Sequence, residues 1–168
     1  MSTQFRRKDP GRHDIGQALV EFAFVAPIFF LLLFSIIEFG RYVYNVQILN
    51  NAAREGARYA IVHGSTSSCP SGPMPGGQVN TCDPSAQKVK DVVTNDAVGV
   101  VAGSSLVNVQ VIYGCQAADP CGPPYESRDN ARDNRVTVLV SYDFNSLVPM
   151  VPLPPIHITG ASTLVINH

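Results

Sequence analysis

Charge is scarce in this chain. Only 15% of its 168 residues are Asp, Glu, Lys or Arg and the formal net charge is -1, so there is no basic field to hold a nucleic acid. Catalytic signatures are missing too: the histidines stand apart at His13, His63, His157 and His168, and no GxSxG, HExxH or P-loop pattern occurs. The cysteines contain no CxxC; their C-x12-C and C-x5-C spacings argue against zinc. A catalytic Cys–His pair would need a reduced, exposed thiol, which the loop setting of these cysteines disfavours. The expectation is a chain that is not an enzyme and takes no cofactor, metal, nucleic acid or small-molecule substrate.

What the chain does have is an apolar run, Gly16 to Ile37. From Ala18 to Ile37 the only charge is Glu21, and a helix over that stretch measures about 30 Å at ~1.5 Å per residue, one membrane span. A carboxylate inside a membrane costs on the order of 3 kcal/mol or more, so Glu21 calls for a partner and a role. The plainer alternative, that Glu21 marks the interfacial edge of the span, fits less well because Ile15 to Val20 before it are mostly apolar. Pro27 lacks an N–H and crowds the carbonyl of Ala23, which predicts a kink. Phe39, Tyr42 and Tyr44 follow at the depth of an outer aromatic belt.

The helix is expected to continue. Apolar or small residues at Phe39, Tyr42, Val43, Val46, Leu49, Ala53, Gly56, Ala57 and Ala60 mark one face, with His63 and Gly64 as the stop, so the helix should run from about Gln17 to His63. Glu55 and Arg58 can pair on another face. The stripe Ala52, Ala53, Gly56, Ala57 and Ala60 allows close backbone approach, most simply by a sheet of the same subunit; an intersubunit contact is the competing reading.

The residues around Glu21 carry a resemblance. Gly16-Gln17-Ala18-Leu19-Val20-Glu21-Phe22 looks like the processing site of type IV prepilins of the Tad (Flp) class, and the whole run GQALVEFAFVAPIFFLLLFSIIEFGR, with NNAAREGARYA after it, resembles the TadE-like pseudopilins. The resemblance covers roughly the first 64 residues. It implies cleavage between Gly16 and Gln17 by a prepilin peptidase, other Tad pilins and pseudopilins as partners, a pilin-like fold, and a minor role in Tad/Flp pilus assembly, priming or modulating the fibre. Cleavage would create an amine four residues before Glu21, and in a staggered filament that carboxylate would meet a neighbour's amine and set the register.

Orientation follows from Arg6, Arg7, Lys8 and Arg12 ahead of the run, against a net acidic remainder. Positive flanks stay in the cytoplasm, giving a single-pass inner-membrane protein whose C-terminal part is periplasmic or extracellular. A secretory signal peptide would end in a small-x-small site, whereas this core runs into Ile36-Ile37-Glu38-Phe39-Gly40. Three segments result: a basic leader over 1–16, with Pro10-Gly11 breaking any helix; a long helix over 17–63, with its span near 18–37 and an exported amphipathic half over 38–63; and an exported domain over 64–168. The rival from another class is an uncleaved single-span protein whose exported domain binds a ligand or partner. A secreted enzyme released by signal peptidase, beginning near residue 40, is a third.

Beyond the helix, Gly64 to Thr81 reads as loop. Asp83 as N-cap and Pro84 at the first helical position predict a second helix with Val89, Val92, Val93, Ala97, Val100 and Val101 inward and Gly103 at its end. Strands are expected over Leu106 to Tyr113, Arg135 to Phe144 and Ile156 to Ile166, the last bent or bulged at Gly160, with the four prolines of Asn145 to Pro155 outside any ladder. The Arg-Asp-Asn repeat over Arg128 to Arg135 reads as a solvated hairpin loop, since its arginines cancel the field a calcium ion needs. Cys69, Cys82, Cys115 and Cys121 sit in Gly/Pro/Ser-rich loops beyond the span, which suits disulfides in an oxidising compartment. Three pairings are open, of which the local one, Cys69 with Cys82 and Cys115 with Cys121, is preferred. The fold class expected is α+β: a long N-terminal transmembrane helix packed through its second half on a small antiparallel sheet, with a second short helix.

Overall fold

Apart from Pro27 and isolated glycines, few helix breakers stand between Arg12 and His63, and the chain winds into one long helix there. The computed structural model describes residues 12–97, 107–114, 129–145 and 154–167, with side chains from residue 16. Helix α1 covers Arg12–Val62 and includes Pro27. Arg12, the first described residue, is already helical, so the end of the basic arm is helical. Its C-terminal end is where the sequence puts it: His63 N–H donates to the Tyr59 and Ala60 carbonyls, and the His63 ring stacks on Tyr59 at 4.0 Å. The chain divides into two units, Met1–Gly40 and Arg41–His168.

The second unit is the α+β part. Strands β1 (Val107–Tyr113), β2 (Arg135–Phe144) and β3 (Ile156–Val165) form an antiparallel sheet in the order β1-β2-β3. Alternation dictates a one-sided sheet. Val136, Val138 and Val140 of β2 are fully buried, while Thr137 meets Thr163 across the opposite face at 2.9 Å and Asp143 meets His157 there at 2.6 Å. Each fully buried valine is worth roughly 1.5–3 kcal/mol relative to exposure.

The buried face is covered by α2 (Gln87–Asp96) and by the second half of α1. The small-residue stripe does what its composition predicts, and within one subunit: Ala52, Ala53, Ala57 and Ala60 are at most 1% exposed. A Cβ at Gly56 would lie 2.2 Å from Val93 Cγ2 and 3.5 Å from Val138 Cγ1, so this position meets α2 and β2 together. At Gly160 a Cβ would lie 2.7 to 2.9 Å from the backbone of Leu49 and Asn50. This corrects the expected bend or bulge. Gly160 pairs with Val140 in a register that runs evenly from Arg135↔Val165 to Phe144↔Ile156, and the glycine is there to admit the backbone of α1.

Two further expectations are corrected. Pro84 does not open α2. Asp83 is tied to the preceding loop through Gly72 N–H to its carbonyl at 2.8 Å and Ser71 Oγ to its Oδ2 at 2.7 Å, and the chain leaves that tether through Ala86 in the left-handed region (φ 52). Helical geometry therefore starts at Gln87, and Asp83 caps from a distance, accepting from the Gln87 and Lys88 N–H groups at 2.7 and 3.2 Å. The Arg-Asp-Asn segment is not wholly solvated either, because Asn130 is fully buried. Val100, Val101, Gly103, Leu106, Cys115, Cys121 and Arg128 lie outside the described residues.

Candidate functional site

The sequence places its functional expectations on α1, and the helix sets their geometry. Gly16, Gln17, Glu21 and Pro27 are all exposed along it. Nothing comes within 4 Å of a Cβ placed at Gly16. Four residues apart, Gln17 and Glu21 share a face, and Gln17 Nε2 donates to Glu21 Oε1 at 3.2 Å. The apolar residues that follow are exposed to a degree water does not tolerate: Leu19 is 64% accessible, Phe24 74% and Ile28 71%. None of this apolar stretch is buried, and it is long enough to cross a membrane. Its one hydroxyl is settled internally, Ser35 Oγ donating to the Leu31 carbonyl at 2.7 Å, as a lipid-facing helix requires. Phe30 stacks on Phe34 along the same segment.

A second constellation, in the α+β unit, was only partly legible. The loop after α1 holds a buried polar cluster with almost no apolar content. Asn80 donates to the carbonyls of Pro70 and Gly72 at 2.9 and 2.7 Å and accepts from the N–H groups of Cys82 and Asp83. Asn130 Nδ2 reaches the Ser71 carbonyl at 2.9 Å, its N–H the Pro73 carbonyl at 2.8 Å, and its own carbonyl accepts from Ser65. Cys69 and Cys82 are joined in a disulfide, one half of the expected local pairing. At the centre lies Tyr113, 1% exposed, its ring filling the space a side chain at Gly72 (φ 87) would need. Burial, reinforced by the Asp83 carboxylate and opposed by Ser71, pushes the Tyr113 phenol up to about 12. Its hydroxyl lies beside that of Ser71, but Ser71 donates to Asp83 and no hydrogen bond of ordinary geometry to the phenol forms among the described residues. These groups order a loop, and among the described residues no cluster of His, Cys, Asp and Glu suited to a metal ion occurs.

Comparison with known proteins bears on the first constellation. Residues 16–58 match the family model described as TadE-like protein, a stretch that opens on Gly16 and closes inside the small-residue stripe. No curated protein and no solved structure matches the chain. The N-terminal segment is thus TadE-like, as its sequence resemblance led one to expect. The matched stretch is about a quarter of the chain and takes in Gly16, Glu21 and the apolar helix.

Proposed function

We propose that the chain is a minor pseudopilin of Tad/Flp pilus assembly, anchored in the inner membrane by residues 18–37, with its N-terminus cytoplasmic and its α+β domain exported. In this reading the domains are a leader over 1–16, a long helix over 17–63 kinked at Pro27, and an exported domain over 64–168. The observation that carries it is the TadE-like match, which begins at Gly16 and includes both Glu21 and an apolar helix whose large side chains are all left uncovered. A prepilin peptidase cuts between Gly16 and Gln17; a side chain at position 16 obstructs the close approach that the enzyme's active site needs. The new amine then lies one helical turn from Glu21. In the fibre the Glu21 carboxylate meets the amine of a neighbouring copy or pilin, offsetting the burial of both charges and fixing the stagger.

The deciding measurement is N-terminal sequencing of the protein from cells with and without a prepilin peptidase. A start at Gln17, lost when the peptidase is deleted, is the expected result. Gly16→Val leaves the full-length form in the membrane, whereas Glu21→Ala is cut yet fails to co-purify with sheared pili. A start at Met1 in cells with an active peptidase overturns the reading. It would leave an uncleaved single-span protein with an exported binding domain, the reading favoured by a helix that is already formed at Arg12 and passes through Gly16 without a break.

A further inference from the structure

The two sulfurs of the Cys69–Cys82 disulfide have a cation beside them. Lys88 Nζ lies 3.1 Å from Cys69 Sγ and 3.7 Å from Cys82 Sγ. Lys88 is the second residue of α2, so the bridge also lies near that helix's N-terminus. Residues 64 to 82 contain no charged side chain. The nearest acid in sequence, Asp83, is buried, with its oxygens engaged by Ser71 and by the Gln87 and Lys88 N–H groups. Cys82 is exposed and Cys69 half-buried.

A disulfide is neutral and gains little from a neighbouring ammonium, whereas a thiolate gains much. We propose that Cys69–Cys82 is a site of thiol–disulfide exchange, attacked by the thiolate of a dithiol reductant at Cys82 Sγ, with Cys69 as the leaving group held by Lys88. The exposed sulfur is the one a nucleophile reaches. The bond that breaks is Sγ–Sγ, and its electron pair departs on Cys69 Sγ, the sulfur nearer the ammonium. Lys88 lowers the proton affinity of that sulfur, and a leaving thiol of lower pKa departs faster. The second thiolate of the reductant then attacks its own sulfur in the mixed disulfide and releases Cys82. The dithiol ends as a disulfide, two electrons pass to the protein, and the reductant's two thiol protons end on Cys69 and Cys82. Reduction removes the covalent closure of the loop but leaves its noncovalent ties through Ser71, Asn80 and Asn130, so the opened form keeps a defined place for a thiol partner.

The test uses full-length protein in detergent micelles. Dithiothreitol is added at pH 7, samples are quenched with acid, free thiols are alkylated, and the peptides holding Cys69 and Cys82 are followed by mass spectrometry. Lys88→Met should slow their reduction on the order of fivefold, the upper range for an exposed charge interaction, and Lys88→Arg should stay within about twofold of the parent. Glutathione in place of dithiothreitol should be found on Cys82. A substitution that merely loosened the fold would speed reduction, so a slower rate reports the lost ammonium. Equal or faster reduction of Lys88→Met, or glutathione found mainly on Cys69, overturns the proposal.

Discussion

Helix α1 uses its residues in opposite ways on either side of Gly40. Before it, bulky side chains are exposed, Phe24 at 74%, and a Cβ at Gly16 or Gly40 would touch nothing. After it, the residues that matter are the smallest available, Ala53, Gly56 and Ala57, and they are buried because the backbone itself must come close to α2 and the sheet. In water the first pattern costs free energy along its whole length at ~25 cal/mol per Å² of exposed apolar surface. It is tolerable only if lipid or other protein covers it. The second pattern is a folded core, and it supports itself. One helix thus has two solvents, and glycine means opposite things in each.

The sharpest way to break that contrast is to enlarge the glycines. A Cβ at Gly160 meets the backbone atoms of Leu49 and Asn50, which cannot step aside as a side-chain tip would. Gly160→Val should destabilise the α+β unit by at least the ~1–3 kcal/mol typical of overpacking, read as a lower midpoint in urea unfolding followed by near-UV circular dichroism. A Cβ at Gly56 clashes with a side-chain tip, Val93 Cγ2, and meets Val138 and Val89 at ordinary contact distance, so Gly56→Ala should cost less. Gly40→Ala, with open space around it, should leave the midpoint where it was. A Gly40→Ala effect as large as that of Gly160→Val would erase the distinction.

Hydrogen bonding separates the regions in the same way. In the apolar segment polar groups are paired within one helical turn, Gln17 with Glu21 and Ser35 with Leu31. In the α+β unit Asn130 reaches the Ser71 carbonyl across 59 residues of chain. Asn130→Ala strips a partner from a buried carbonyl, a loss of about 1–3 kcal/mol, and should speed limited proteolysis in the loop after α1. Ser35→Ala removes a bond that lies inside one turn and should leave both the loop and the unfolding midpoint unchanged.

What the sequence made legible was whatever repeats with a period. The three strands, the end of α1 and the buried stripe all follow from spacings of two, three and four, and β2 was read to the residue as Arg135 to Phe144. Gly160 was seen but misread, because a glycine that admits another element's backbone looks, in one dimension, like one that bends its own strand. Asp83 was recognised as a cap, yet the start of α2 lay three residues beyond Pro84, since the tether to Ser71 and the left-handed Ala86 are set by contacts with the preceding loop. Asn130 carried a cue in the Arg-Asp-Asn repeat, but only the fold says which of its two asparagines is fully buried. Lys88 carried none. Its meeting with the Cys69–Cys82 pair depends on where α2 begins.

The smallest predicted effect tests how closed the packed unit is. The Tyr113 hydroxyl is buried beside Ser71 without a hydrogen bond of ordinary geometry among the described residues, so Tyr113→Phe removes a group that was desolvated for little return while keeping the ring against Gly72. At neutral pH the change should be within about 1 kcal/mol and of stabilising sign. Alkaline pH reveals the same hydroxyl more strongly. In the unfolded chain the phenol ionises near pH 10, and in the folded protein only at about 12. Between those values the unfolded state gives up a proton that the folded state retains, so stability falls as pH rises through that window and levels off above it. Tyr113→Phe should flatten this alkaline decline relative to the parent in urea unfolding at pH 8, 10 and 11. A clear loss of stability in the phenylalanine variant at neutral pH would mean that the hydroxyl is bonded and that the packed unit is wetter at its centre than its burial implies.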